Sequence, residues 1–100
     1  ARIQQAWAAG DQLLRFMAGV GRPPPPIWSS PGIQSSADRL REDMHGAGRV
    51  RLSGPQWQIG NQSAVLTSGY VVQGEQSGAG RLTADLVWRE NRWLVIGLSI

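Results

Sequence analysis

The segment from Arg81 to Ile100 constrains the fold of this chain more than any other. It reads RLTADLVWRENRWLVIGLSI, with two apolar runs rich in β-branched and aromatic residues on either side of a polar turn. Leu82, Ala84, Leu86 and Trp88 all have the same parity in the first run. Alternation of this kind around a short polar break predicts a β-hairpin.

The length of the turn decides which residues of the last strand face the core. A two-residue turn at Glu90-Asn91 would place Trp93 opposite Trp88. A three-residue loop with Asn91 in the left-handed conformation shifts the pairing by one residue, and asparagine tolerates that conformation. We therefore predict the three-residue loop, with Val87, Trp93 and Val95 on the outer face. The predicted inner residues of the last strand are then Leu94, Ile96, Leu98 and Ile100.

Two helices and a proline-rich connector precede the sheet. Residues 2–18 carry apolar side chains at helical spacing, which predicts an amphipathic helix with its stripe in the core. Pro23–Pro26 end that helix and form a stiff connector, which we favour over a role as a polyproline ligand for a partner. A short second helix follows, capped by Ser35 or Ser36. The predicted stripe consists of Ile3, Ala6, Trp7, Gly10, Leu13, Leu14 and Met17.

From Arg49 onward the chain alternates as strands do, with an interruption at Gly54-Pro55. Helices that precede a long antiparallel sheet must cover one of its faces. The sequence therefore predicts one α+β domain over residues 1–100, in which a four-stranded antiparallel sheet curls around the first helix as a half-open cone. The predicted outer face is semi-apolar, which favours a homodimer through that face. Its members are Val65, Val71, Val87, Trp93 and Val95.

Three segments resemble the nuclear transport factor 2-like superfamily, which includes ketosteroid isomerases and polyketide cyclases. AWAAGDQLLRFM at 6–17 is similar to the first-helix pattern of that group, and GIQSSADRLREDM at 32–44 to its glycine-led short helix. VWRENRWLVIGLS at 87–99 is similar to its closing hairpin. The resemblance implies a cone-shaped, cystatin-like α+β roll with an apolar ligand pocket between helix and sheet.

Candidate pocket residues follow from the predicted inner parity of the strands. They are Trp57, Ser68, Tyr70 and Trp88, with Trp28 as a lid. A buried Tyr70 hydroxyl could donate a hydrogen bond to a developing enolate oxygen, although a core tyrosine with its hydroxyl at the rim is the simpler interpretation.

An isomerase or cyclase would also need a base near the substrate. Asp85 is predicted on the outer face, where an interface or arginine-paired role fits better than catalysis. Asp38 and His45 flank the predicted mouth and form the other acid–base candidate. A lone histidine without cysteines makes a poor metal site, so we predict no metal and no cofactor, and the sequence leaves open whether the domain is an enzyme.

Charge and hydropathy limit the classes of partner that we expect for this domain. The net charge is +3, and all ten basic residues are arginines scattered along the chain, often near an acid. Dispersed arginines are typical of a solvated surface, so nucleic acid is not an expected partner. The five tryptophans are expected in the core. No apolar run reaches the roughly 20 residues that a membrane span needs.

Two classes of function remain. The first is binding of a small hydrophobic ligand in the cone, with or without catalysis, and we favour it. The alternative is a non-catalytic dimerising module of an envelope, secretion or immunity-type protein. The chain begins at Ala1 without a methionine, which is expected of a processed protein or an excised domain. The compartment in which it acts is not readable from the sequence.

Overall fold

The computed structural model describes residues 1–19, 21–75 and 77–100. Two helices pack on a curled antiparallel sheet, which confirms the predicted α+β roll. The sheet has the order β1-β3-β4-β5, and β2 pairs with β3 as a continuation of β1. The elements are α1 (Arg2–Ala18), α2 (Pro31–Ala47), β1 (Arg49–Leu52), β2 (Gln56–Ile59), β3 (Ser63–Gln73), β4 (Gly78–Arg89) and β5 (Arg92–Ser99).

The first helix is rotated relative to the prediction. Ile3 and Trp7 were expected in the core, yet they are 51% and 53% exposed. The buried side of α1 has three small residues in its first half, which let the helix axis lie close to the sheet, and three large apolar residues after them. The buried residues are Ala6, Ala9, Gly10, Leu13, Phe16 and Met17.

The second helix is longer than the short helix we predicted. It begins at Pro31, because the Ser30 side chain accepts a hydrogen bond from the Ile33 N–H at 3.3 Å and a proline suits the first helical position. The predicted caps, Ser35 and Ser36, therefore lie within the helix and do not begin it. Neither helix in the described ranges is long and apolar enough to cross a membrane.

The closing hairpin has a two-residue turn, so the predicted three-residue loop is wrong. Trp88 pairs with Trp93, and Leu86 pairs with Val95. Both turn residues are left-handed, with φ of 55° at Glu90 and 64° at Asn91, which is the signature of a type I′ turn. Trp93 and Val95 therefore point inward and are 3% and 0% exposed, and they do not belong to the outer face where we placed them.

A β-bulge then reverses the parity of the last strand. Asp85 pairs with Gly97 while Leu86 pairs with Val95, so one extra residue, Ile96, lies on β5 between the two pairs. Beyond the bulge, Leu98 pairs with Ala84. Leu98 consequently packs against the core as predicted, whereas Ile96 is 39% exposed.

The proline connector adds a short parallel segment to the outer edge of β5. The Val95 N–H donates to the Ile27 carbonyl at 2.7 Å, and the Ser29 N–H donates to the Val95 carbonyl at 3.0 Å. Trp28 thereby forms a parallel bridge with Val95. These two hydrogen bonds cover the edge of the sheet that the hairpin would otherwise leave open.

Candidate functional site

The interior of the cone is filled by side chains. Apolar residues of α1 meet apolar residues of β3 and β4, and each of these side chains is at most 1% exposed. They are Leu13, Phe16, Met17, Leu66, Leu82 and Leu86. In the part of the chain that the structure describes, none of five well-formed surface depressions is lined by Ser68, Tyr70 or Trp88. Ser68, Tyr70 and Trp88 thus pack in or against the core.

Tyr70 lies across the neighbouring strand. It pairs with Gly80 on β4, and a Cβ at Gly80 would lie 2.6 Å from the Tyr70 hydroxyl oxygen and 2.9 Å from its ring edge. The ring therefore covers the glycine, a packing device that compensates for a missing side chain in a sheet. Among the described residues, no hydrogen bond joins the hydroxyl to a carboxylate or to any other group.

The Ser68 hydroxyl is already used within the sheet. Ser68 is 1% exposed, and its Oγ donates to the Ser53 carbonyl at 2.8 Å. This bond ties the chain between β1 and β2 to β3. A hydroxyl has a single proton to donate. Ser68 therefore uses its proton to hold the interrupted edge strand against β3.

The acidic candidates do not meet Tyr70. Asp85 is exposed and pairs with Val65 and Gly97 on the outer face of the sheet, as predicted, so the sheet separates it from the inner residues. Asp38 lies 3.8 Å from the Arg41 guanidinium. His45 Nε2 lies 2.8 Å from the Met17 carbonyl, and because a carbonyl only accepts, that nitrogen carries the proton.

Arg41 and His45 close the carboxyl end of α1. The Arg41 guanidinium donates to the carbonyls of Phe16, Gly19 and Arg22 at 3.2–3.5 Å and lies 3.9 Å from the centre of the Phe16 ring. Hydrogen-bond donors satisfy the free carbonyls at a helix end, and the charge of Arg41 offsets the negative end of the helix dipole. Sequence reasoning placed Arg41 in solvent, although its spacing of four residues from His45 puts both on one face of α2.

Trp88 and Trp28 also have structural surroundings. Trp88 packs edge-on against Trp93 at 5.6 Å, and the Arg2 guanidinium lies 4.7 Å over its ring. Trp28 packs edge-on against Phe16 at 5.5 Å. Trp28 also lines a groove of about 580 Å³ beside the prolines and the start of α2.

Trp57 is the one predicted pocket residue that lines an open apolar depression. Its ring lies against α1 at Gly10, where a Cβ would be 2.3 Å from the indole. Beside it, Trp7 and Leu14 project from one face of α1. We call this depression, with a volume of about 410 Å³, the Trp7–Trp57 pocket. It is lined by Trp7, Asp11, Leu14, Pro55 and Trp57.

Asp11 supplies the charge of the Trp7–Trp57 pocket. Its Oδ2 lies 3.0 Å from Arg15 Nε, and the two side chains are 60% and 65% exposed. Exposed pairs of this kind contribute about 0–1 kcal/mol. Arg15 is not among the residues that line the pocket. Asp11 is therefore the charged residue among those that line the pocket.

Comparison with known proteins identifies the fold. The chain superposes on the crystal structure of an NTF-2-like protein of unknown function from Shewanella oneidensis MR-1, with a TM-score of 0.51 over 96% of this chain and 92% of that one. The sequence identity is 10%, so the similarity shows the fold alone. No protein-family model and no curated protein matches the sequence. The NTF-2-like cone predicted from the sequence is confirmed.

Proposed function

We propose that the domain binds a small hydrophobic ligand in the Trp7–Trp57 pocket, between α1 and the stretch from β1 to β2 that contains Pro55, and not in the interior as we expected from the sequence. The observation that carries the proposal is the position of the two indoles. Trp57 is half-buried against Gly10, while Trp7 is 53% exposed beside it. A large aromatic surface left open beside an apolar wall is typical of a binding site.

The energetics favour a weak to moderate affinity for a small molecule. Burial of apolar surface contributes about 25 cal/mol per Å², so covering roughly 150 Å² would contribute about 4 kcal/mol before the entropy of association is subtracted. Indole rings lose little conformational entropy when a ligand covers them. The pocket therefore suits compact apolar molecules, which it can cover on several sides.

Indole N–H resonances provide a direct test. We expect 3,3-dimethyl-1-butanol, a compact and water-soluble alcohol, to shift the signals of Trp7 and Trp57 in a saturable manner and to leave those of Trp28, Trp88 and Trp93 in place. Trp7→Ala and Trp57→Ala should each weaken binding.

Ile3→Ala is the matched control for these variants. Ile3 is 51% exposed on the same helix and lies outside the pocket, so its removal should leave the affinity unchanged. Shifts confined to Trp88 and Trp93 would place the ligand in the interior and contradict the proposal.

A second candidate, the dimerising module, is favoured by the outer face of the sheet. Val71 is 42% exposed there, Ile96 at the bulge is 39% exposed, and Val65 and Val87 are half-buried. The revised face excludes Trp93 and Val95. Light scattering after size-exclusion chromatography should then show a dimer that Val71→Glu dissociates and Ile3→Glu does not. A monomer at every concentration would reject this candidate.

A further inference from the structure

We infer that the Trp7–Trp57 pocket selects an organic cation, an ammonium group bearing alkyl substituents. The inference rests on the proposed function and adds the chemical class of the ligand. Two tryptophans and one aspartate line the same depression, and its remaining lining residues, Leu14 and Pro55, are apolar. This combination matches a ligand that is positively charged and apolar at the same point.

The indoles favour a cation over a neutral molecule of the same shape. The face of an aromatic ring is electrostatically negative, and tryptophan gives the strongest cation–π interaction of the natural side chains. Alkylated ammonium groups carry their charge on an apolar surface, so they gain from ring contact and from burial together. A neutral ligand would gain only from burial.

The carboxylate adds to this selection of a cation. Asp11 lies one helical turn after Trp7, so both project over the same side of α1. Its present partner, Arg15, approaches it as an exposed pair at 3.0 Å, and such a pair is readily exchanged. A cationic ligand can therefore compete with Arg15 for the Asp11 carboxylate, whereas an anionic ligand gains nothing from that carboxylate.

Gly10 positions the second ring. Because a Cβ at this position would lie 2.3 Å from the Trp57 indole, only glycine lets the ring lie directly on the helix backbone. The Trp57 ring then forms one wall of the pocket. Trp7, about one turn before Gly10 on α1, lines the pocket beside it.

Choline and 3,3-dimethyl-1-butanol form a matched pair of probes, because they have the same shape and differ by a nitrogen cation in place of a carbon. We expect choline to bind about tenfold more tightly, given about 0.5–1 kcal/mol for each partly exposed cation–π contact. Asp11→Asn should weaken choline binding several-fold and change the affinity for the alcohol less than twofold. Arg15→Gln should strengthen choline binding, because it frees the carboxylate.

The outcomes separate this inference from the proposed function. Equal affinity for choline and for the alcohol, or equal losses for both probes in Asp11→Asn, would overturn the choice of a cation and leave the binding site intact. Failure of both probes to shift Trp7 and Trp57 would overturn the site itself and the cation with it. Asp11 and Arg15 are exposed, so circular dichroism should show both variants folded.

Discussion

Gly10 shows how a single missing side chain shapes this domain. In an exposed helix, alanine in place of glycine stabilises by about 1 kcal/mol. At Gly10, however, the added Cβ would collide with the Trp57 indole, and overpacking costs about 1–3 kcal/mol. We expect Gly10→Ala to lower the free energy of unfolding by about 1 kcal/mol in urea titrations and to move the Trp57 indole N–H resonance.

Gly46 on α2 is the matched control, because nothing lies within 4 Å of the Cβ that would be added there. Gly46→Ala should raise the free energy of unfolding by up to about 1 kcal/mol. The two variants then have opposite signs for the same chemical change. An equal gain in both would show that Trp57 does not rest on the helix.

Arg41 carries the second prediction at the scale of the residue. Its side chain is 17% exposed, and hydrogen bonds from a charged group contribute about 1.5–3 kcal/mol. The three bonds to carbonyls are long, so we expect Arg41→Ala to cost about 2 kcal/mol, with faster amide exchange in the last turn of α1. Arg41→Met should cost less, because its side chain still covers Phe16.

Arg39 provides the comparison for Arg41. It is exposed on the same helix and makes one 3.5 Å hydrogen bond to Ser36, so Arg39→Ala should change stability by no more than about 0.5 kcal/mol. If the two alanine variants are equally stable, Arg41 does not cap the first helix.

At the scale of the element, the turn of the closing hairpin carries local strain that a better sequence would relieve. Glu90 and Asn91 both have positive φ, and a type I′ turn prefers Asn-Gly at these two positions. We expect the double variant Glu90→Asn/Asn91→Gly to stabilise the domain by about 0.5–1 kcal/mol without changing the register, as judged by the midpoint of urea unfolding. A lower midpoint would argue for a different turn.

The same hairpin shows where prediction from sequence stopped. The alternation of apolar residues predicted two strands and a turn. The difference between a two-residue and a three-residue turn, however, moves every side chain of the last strand to the opposite face. No feature of the sequence indicates that Glu90 adopts a left-handed conformation or that β5 has a bulge at Ile96. Trp93 and Val95 were therefore misplaced, whereas Leu98, beyond the bulge, was placed correctly.

The helices show the same limit in another form. Periodicity predicted α1, but the largest apolar side chains suggested the wrong orientation, because the closeness of helix to sheet depends on Ala6, Ala9 and Gly10. Trp7 was consequently expected in the core. The sequence did single out Trp57 as a pocket residue, and it could not show that Trp57 and Trp7 lie beside each other, since that depends on the rotation of the helix.

At the scale of the whole molecule, the sheet has an open edge to which a strand of another molecule could pair, and the sequence of that edge disfavours such pairing. Residues 27–29 cover β5, while β1 and β2 each pair only with β3 in the described ranges. Gly54-Pro55 interrupts this free edge, and proline cannot donate to an incoming strand.

We expect Pro55→Thr to let residues 49–59 form a continuous edge and to raise light scattering with protein concentration, while circular dichroism shows a folded domain. Pro24→Thr removes an exposed proline from the connector, away from the edge, and should scatter no more than the parent protein. Equal behaviour of the two variants would show that the interruption at Pro55 serves the register of β2 with β3, and that association is limited by the charge of the surface instead.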